Sequence, residues 1–106
     1  MSAERNSRAA AAKRIQDRIR QVLLREWDPL EIRAELKCQD EYDAYIGTVY
    51  RLLVAHAKPD LVAEALAEAE HHMGVQTSSG ARDSTVKMLL KLDVALTPPH
   101  RPVQAE

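Results

Sequence analysis

Apolar residues recur along this chain at helical rather than strand spacing. After the run Ala9-Ala10-Ala11-Ala12, a strong helix former, Ile15, Ile19, Val22 and Leu23 follow at steps of four, three and one and share one face. Arg14, Arg18 and Arg25 flank that stripe, where their aliphatic stems cover its edge and their charges stay in water. The pattern predicts a first helix over residues 8–25, ending near Glu26 because Pro29 disfavours helical geometry at Asp28. A second helix over 39–57 would bury the line Tyr42, Ile46, Val49 and Leu53, bordered by Tyr45, Tyr50 and Leu52. Asp40, Ala44, Thr48, Arg51 and Ala55 fall opposite, and Gly47 near the back of the wheel weakens the helix by roughly 1 kcal/mol relative to Ala. A third, over 60–73, has the apolar arc Leu61, Val62, Ala65, Leu66, Ala69 and Met73, with Gly74 placed to cap it. A shorter helix near 83–95, capped by Asp83 or Ser84, carries Val86, Leu89 and Leu90, with Leu92 and Val94 as further contacts.

The segments between follow local rules. Asp28 reads as an N-cap with Pro29 at the first helical position and Glu31 two further on, a variant of the capping box. The stretch through Leu36 fits either two turns of helix, packing Leu30 or Ile32 with Leu36, or a single turn and an irregular connector. Asp40, Glu41 and Asp43 fall in the first turn of the second helix, where the helix dipole favours acids. Residues 74–81, rich in Gly, Ser and Thr, read as a flexible loop. Residues 1–7 and the Pro-rich tail 97–106 are expected to be disordered, leaving one helical domain at 8–96. The expected fold is all-α: an irregular or orthogonal bundle of three main helices plus a shorter C-terminal one.

Composition agrees with helix. There are only three Gly and no Phe, and the 45% hydrophobic content lies largely in Ala, Leu and Val. The single cysteine, Cys38, excludes an internal disulfide and suits a reducing cytosol. It is expected to be a small, partly buried thiol rather than a nucleophile. No apolar run reaches membrane-spanning length, so no membrane partner is expected. The formal net charge of −1 hides an asymmetry. Residues 1–25 carry seven Lys and Arg against two acids, whereas residues 26–72 carry four against eleven. The plain reading lays a basic first helix against an acidic body of the same molecule. The sharper one makes Arg14, Arg18 and Arg25 a nucleic-acid contact, although no aromatic residue is interleaved with them to stack bases.

Beyond these patterns, Glu26-Trp27-Asp28-Pro29-Leu30, then Asp40-Glu41-Tyr42-Asp43-Ala44-Tyr45-Ile46, then Val49-Tyr50-Arg51-Leu52-Leu53, form a recognisable series. With the Met73-Gly74-Val75 step after an acidic helix, the chain resembles the YugE-like bacterial proteins over about residues 15–94. That family is a domain of unknown function, so the resemblance implies a small all-helical bacterial protein and no activity. The Leu30-Glu31 step departs from the family pattern, as does the longer Arg/Ala-rich start.

Two clusters carry possible chemistry. Trp27, Asp28, Asp40, Glu41, Asp43 and Tyr45 place carboxylates beside aromatics, a surface for a basic peptide, an amine or a hard cation. The same residues are also what two helix starts and an aromatic core require. Glu64, Glu68, His71 and His72 span roughly 100° of one helix flank and include a Glu-x-x-His pair. Such pairs ligate metal in di-iron bundles, but those sites need a second pair from a facing helix, and none occurs here. No nucleophile elbow, phosphate-binding Gly loop or Cys-x-x-Cys pair is present. The leading expectation is a cytosolic, non-enzymatic protein-interaction module that needs no cofactor. The first alternative is a metal-binding protein or small metal-dependent enzyme using Glu68, His71 and His72. The second is a nucleic-acid accessory protein, and a homodimer along an exposed apolar strip fits so small a core.

Overall fold

The first helix sets the frame. In a computed structural model that describes residues 3–94, and the side chains of residues 8–94, α1 runs Ala3–Val22. It begins earlier than the expected residue 8, and the expected disorder of residues 97–106 concerns residues outside those described. Ala11, Ile15, Ile19 and Val22 are buried along its predicted stripe. The helix then widens into one π-turn, Leu23–Trp27, closed by the Asp28 N–H donating to the Leu23 carbonyl at 2.8 Å. On a straight α-helix Leu24 would lie about 200° from Val22 and face solvent. Here Leu23, Leu24 and Trp27 are all buried, because the wide turn spreads the apolar arc and the last helix packs on that side.

Asp28 ends the turn in the left-handed region (φ 36°, ψ 57°), which Asp tolerates better than most residues. No helix follows it. Its expected role as the N-cap of a helix starting at Pro29 is therefore corrected. The connector is irregular, with one short 3₁₀ turn at Leu36–Cys38 and a series of turns through residue 42. Of its apolar residues Ile32 packs against the core, whereas Leu36 is 85% exposed.

Helix α2 spans Asp43–Val54, three to four residues later than expected. Asp43 N–H donates to the Asp40 carbonyl and Tyr45 N–H to the Tyr42 carbonyl, i→i+3 bonds that keep 40–42 in turns. Asp40 and Glu41 thus precede the helix, and only Asp43 lies in its first turn. The predicted line Tyr42, Ile46, Val49 and Leu53 is buried, and Tyr45, Tyr50 and Leu52 border it. The helix closes with the Ala57 N–H on the Leu52 carbonyl and His56 in the left-handed region at φ 55°.

Helix α3, Pro59–Met73, starts on its proline, one residue before the expected position, and ends at Gly74 with φ 74°, the cap the sequence predicts. Val62, Leu66 and Ala69 are buried, but Leu61 is 48% exposed and the acid Glu70 is buried instead. Helix α4, Ser79–Leu90, begins earlier than residue 83 because Ser78, not Asp83 or Ser84, caps it: Ser78 Oγ accepts the Ala81 N–H at 3.0 Å. The expected flexible loop shrinks to residues 75–78. Helix α2 packs between α1 and α3, and α4 closes over α1, α3 and the π-turn, so the four helices enclose one core. Among the described residues there is no strand, and no helix is long and apolar enough to cross a membrane.

Candidate functional site

Much of the polar chemistry singled out from the sequence is engaged in holding the fold. Trp27 is buried at the end of the π-turn, 5.4 Å from the Tyr42 ring and edge-on to Tyr45 at 6.4 Å, measured between centroids. Its Nε1–H donates to Glu70 Oε2 at 2.8 Å. Glu70 also accepts from Thr77, through Oγ1–H at 2.7 Å and N–H at 3.1 Å. Arg82 completes the set with Nη2 at 2.8 Å and Nε at 3.2 Å, a bidentate pair. Burial pushes the Glu70 carboxyl pKa up, but Arg82, Trp27 and Thr77 together outweigh it and hold it at about 2. A charge this deep is tolerated because both oxygens are filled by donors.

A second buried carboxylate organises the connector. Asp28 Oδ1 accepts the Tyr42 hydroxyl and the Ile32 N–H, both at 2.8 Å, and Oδ2 accepts the Arg33 N–H at 3.1 Å. The Tyr42 hydroxyl in turn accepts the Leu30 N–H at 2.9 Å. Burial raises the Tyr42 phenol well above its ordinary value, and the Asp28 charge adds to that. Asp28 therefore does cap backbone donors, but those of an irregular loop. Asp43 is held bidentately by Arg20 at 2.8 and 2.9 Å, and Arg20 also reaches Asp17 at 2.8 Å. Of the six acidic–aromatic candidates, Trp27, Asp28 and Asp43 are thus occupied inside the protein, while Asp40 and Glu41 are exposed and Tyr45 is half-exposed.

Of these three, Tyr45 lines a groove between α2 and α3, about 320 Å³ in volume, whose buried walls are Val49, Leu66 and Ala69, with Ala44, Thr48 and Ala65 beside them and Glu68 and His72 on its α3 side. The groove joins parts of both predicted clusters, since Tyr45 comes from the first and Glu68 and His72 from the second. Glu64, Glu68, His71 and His72 are all exposed, and among the described residues no group of three or more His, Cys, Asp and Glu is arranged to hold a metal. Arg14 and Arg18 are exposed along one flank of α1, and Arg25 is exposed on the π-turn that follows it. A second concavity of about 620 Å³ lies where the ends of α2 and α4 meet, lined by Val54, His56, Leu90 and Val94 among others.

Glu70, Thr77 and Arg82 escaped the sequence reading. A signal was there: Val62, Leu66 and Glu70 recur at steps of four, so an acid stands on the apolar line of α3. No protein-family model matches the chain, and no curated protein or solved structure matches it.

Proposed function

We propose that this protein is a non-enzymatic, cytosolic protein-interaction module whose docking surface is the α2–α3 groove, and that its ligand is a basic helical segment. The observation that carries this reading is the groove's make-up. Small alanines, the partly buried Tyr45 and the buried Val49 and Leu66 give an apolar lining on which a helix can sit closely. Exposed Glu41, Glu64 and Glu68 give the surrounding helices an acidic surface that favours cationic side chains. Tyr45 contributes a flat amphipathic ring backed by Trp27, so its position is fixed before a ligand arrives. The strongly shifted groups, Glu70 and Tyr42, serve the fold, which supports binding over catalysis. The likeness to the YugE-like proteins is a proposal of kinship alongside this one and adds no activity to it.

Titration with a lysine- and leucine-rich amphipathic peptide, followed by backbone amide shifts, tests the reading. Perturbations are expected at Tyr45, Thr48, Ala65 and Glu68. Thr48 lies exposed at the groove, so Thr48→Arg should weaken binding about tenfold through bulk and like charge while leaving the fold intact. Shifts confined to other surfaces, or equal affinity for the variant, would end this assignment.

A further inference from the structure

The charge asymmetry of the chain finds little outlet inside the molecule. Of the side chains described on α1, Arg20 reaches the acidic body, at Asp43. Arg14, Arg18 and Arg25 are exposed and form no ion pair among the described residues. Glu64 and Glu68 on α3 are equally exposed and unpaired. Among the described side chains, the plain expectation of a basic helix neutralised by its own acidic body is therefore met at Arg20.

The two sets match in geometry as well as in sign. Arg14 and Arg18 stand four residues apart on one helix, as Glu64 and Glu68 do on another, and both steps rise about 6 Å along the axis. Ala10, one turn before Arg14 on the same flank, is small and exposed. An antiparallel approach sets Arg14 against Glu68 and Arg18 against Glu64. Tyr45 also lines the groove, and an aromatic ring is a contact suited to arginine.

We infer that the segment seated in the groove is α1 of a second copy of this chain, along the ridge Arg14–Arg18; this rests on the groove reading above. Each chain carries both the basic ridge and the acidic groove, and a two-fold pairing that engages both at once would close without open ends. With a net charge of −1 per chain, long-range repulsion between copies is small. Exposed ion pairs are weak and screened by salt, so the association is weak and salt-sensitive.

Sedimentation equilibrium up to about 1 mM protein, the range a weak pair demands, at low and high salt, tests the inference. The wild type should associate at low salt and loosen as salt rises. Arg14→Glu/Arg18→Glu and Glu64→Arg/Glu68→Arg, both on exposed positions and checked for folding by circular dichroism, should each weaken association at least about tenfold. An equimolar mixture of the two variants should recover it as a heterodimer. A wild type that stays monomeric at low salt, association indifferent to both reversals, or a mixture that fails to recover overturns the inference. If the wild type is monomeric while the basic peptide still binds and Thr48→Arg blocks it, only the second-copy assignment falls. If peptide binding is absent too, both fall. A monomer whose affinity for duplex DNA or RNA is lost in Arg14→Glu/Arg18→Glu would give the ridge to nucleic acid and overturn the inference.

Discussion

Glu70 is one carboxylate that three segments depend on. It joins the π-turn through Trp27, the α3–α4 loop through Thr77 and α4 through Arg82. Its side chain is 2% exposed, so removal would leave Arg82, Trp27 and Thr77 donors unpaired in a dry setting. Glu70→Ala should cost about 3–5 kcal/mol in urea denaturation. The pH dependence follows from the direction of the shift. The folded pKa of about 2 lies below the unfolded value, so the stabilisation is complete above about pH 4.5 and is lost as pH falls toward 2. That loss is on the order of 3 kcal/mol, and Glu70→Gln, which cannot ionise, should remove most of the slope in that window. A wild-type urea midpoint that does not fall between pH 5 and 2.5 would contradict this role. The reason the sequence reading passed over Glu70 is physical: an acid is rarely placed at an apolar position, and its partners Thr77 and Arg82 lie across a loop. Periodicity within one helix gives no view of that closure.

At the scale of elements, helix interiors were legible and helix ends only in part. The buried lines of α1 and α2 follow the predicted wheels residue by residue, because both are set by burial alone. Pro59 and Gly74 mark the ends of α3 because each restricts or frees the backbone by itself. The start of α2 was misplaced because Asp40 and Glu41 look like first-turn acids, yet tertiary bonds from Tyr42 to Asp28 hold that stretch in turns. The binding cluster divided for the same reason: side chains adjacent in sequence, Trp27 and Asp28, turned inward at a wide helical turn that periodicity does not announce. The ends also carry removable strain. Helix α2 stops on His56 at φ 55°, where α3 stops on glycine, so His56→Gly should stabilise the protein by roughly 1 kcal/mol. Within α2, a Cβ added at Gly47 would meet only the Arg51 guanidinium at 3.5 Å, an ordinary contact. Gly47→Ala should therefore add about 1 kcal/mol more. Thermal midpoints that fall in either variant would refute these assignments.

For the whole molecule, the single tryptophan reports on the assembly of all four helices. Trp27 lies at the end of the π-turn that follows α1, packs its ring against Tyr42 and Tyr45 at the start of α2, and bonds to α3 at Glu70, which α4 grips through Arg82. With one core and no separate unit, unfolding followed by its fluorescence should coincide with unfolding followed by helical circular dichroism. Midpoints that differ would mean that part of the bundle opens alone. The wide turn that delivers Trp27 to this junction has a further effect. Five residues there do the work of about one ordinary turn, and the ring closes over an extra residue. That surplus residue acts as a phase setting between the long arm of α1 and the rest of the body. Deleting it would swing every side chain upstream by about 100° around the axis, carrying Ile15 and Ile19 out of register and re-aiming the arginine ridge. In this one coil, a single residue thus fixes the direction in which the molecule presents its charge.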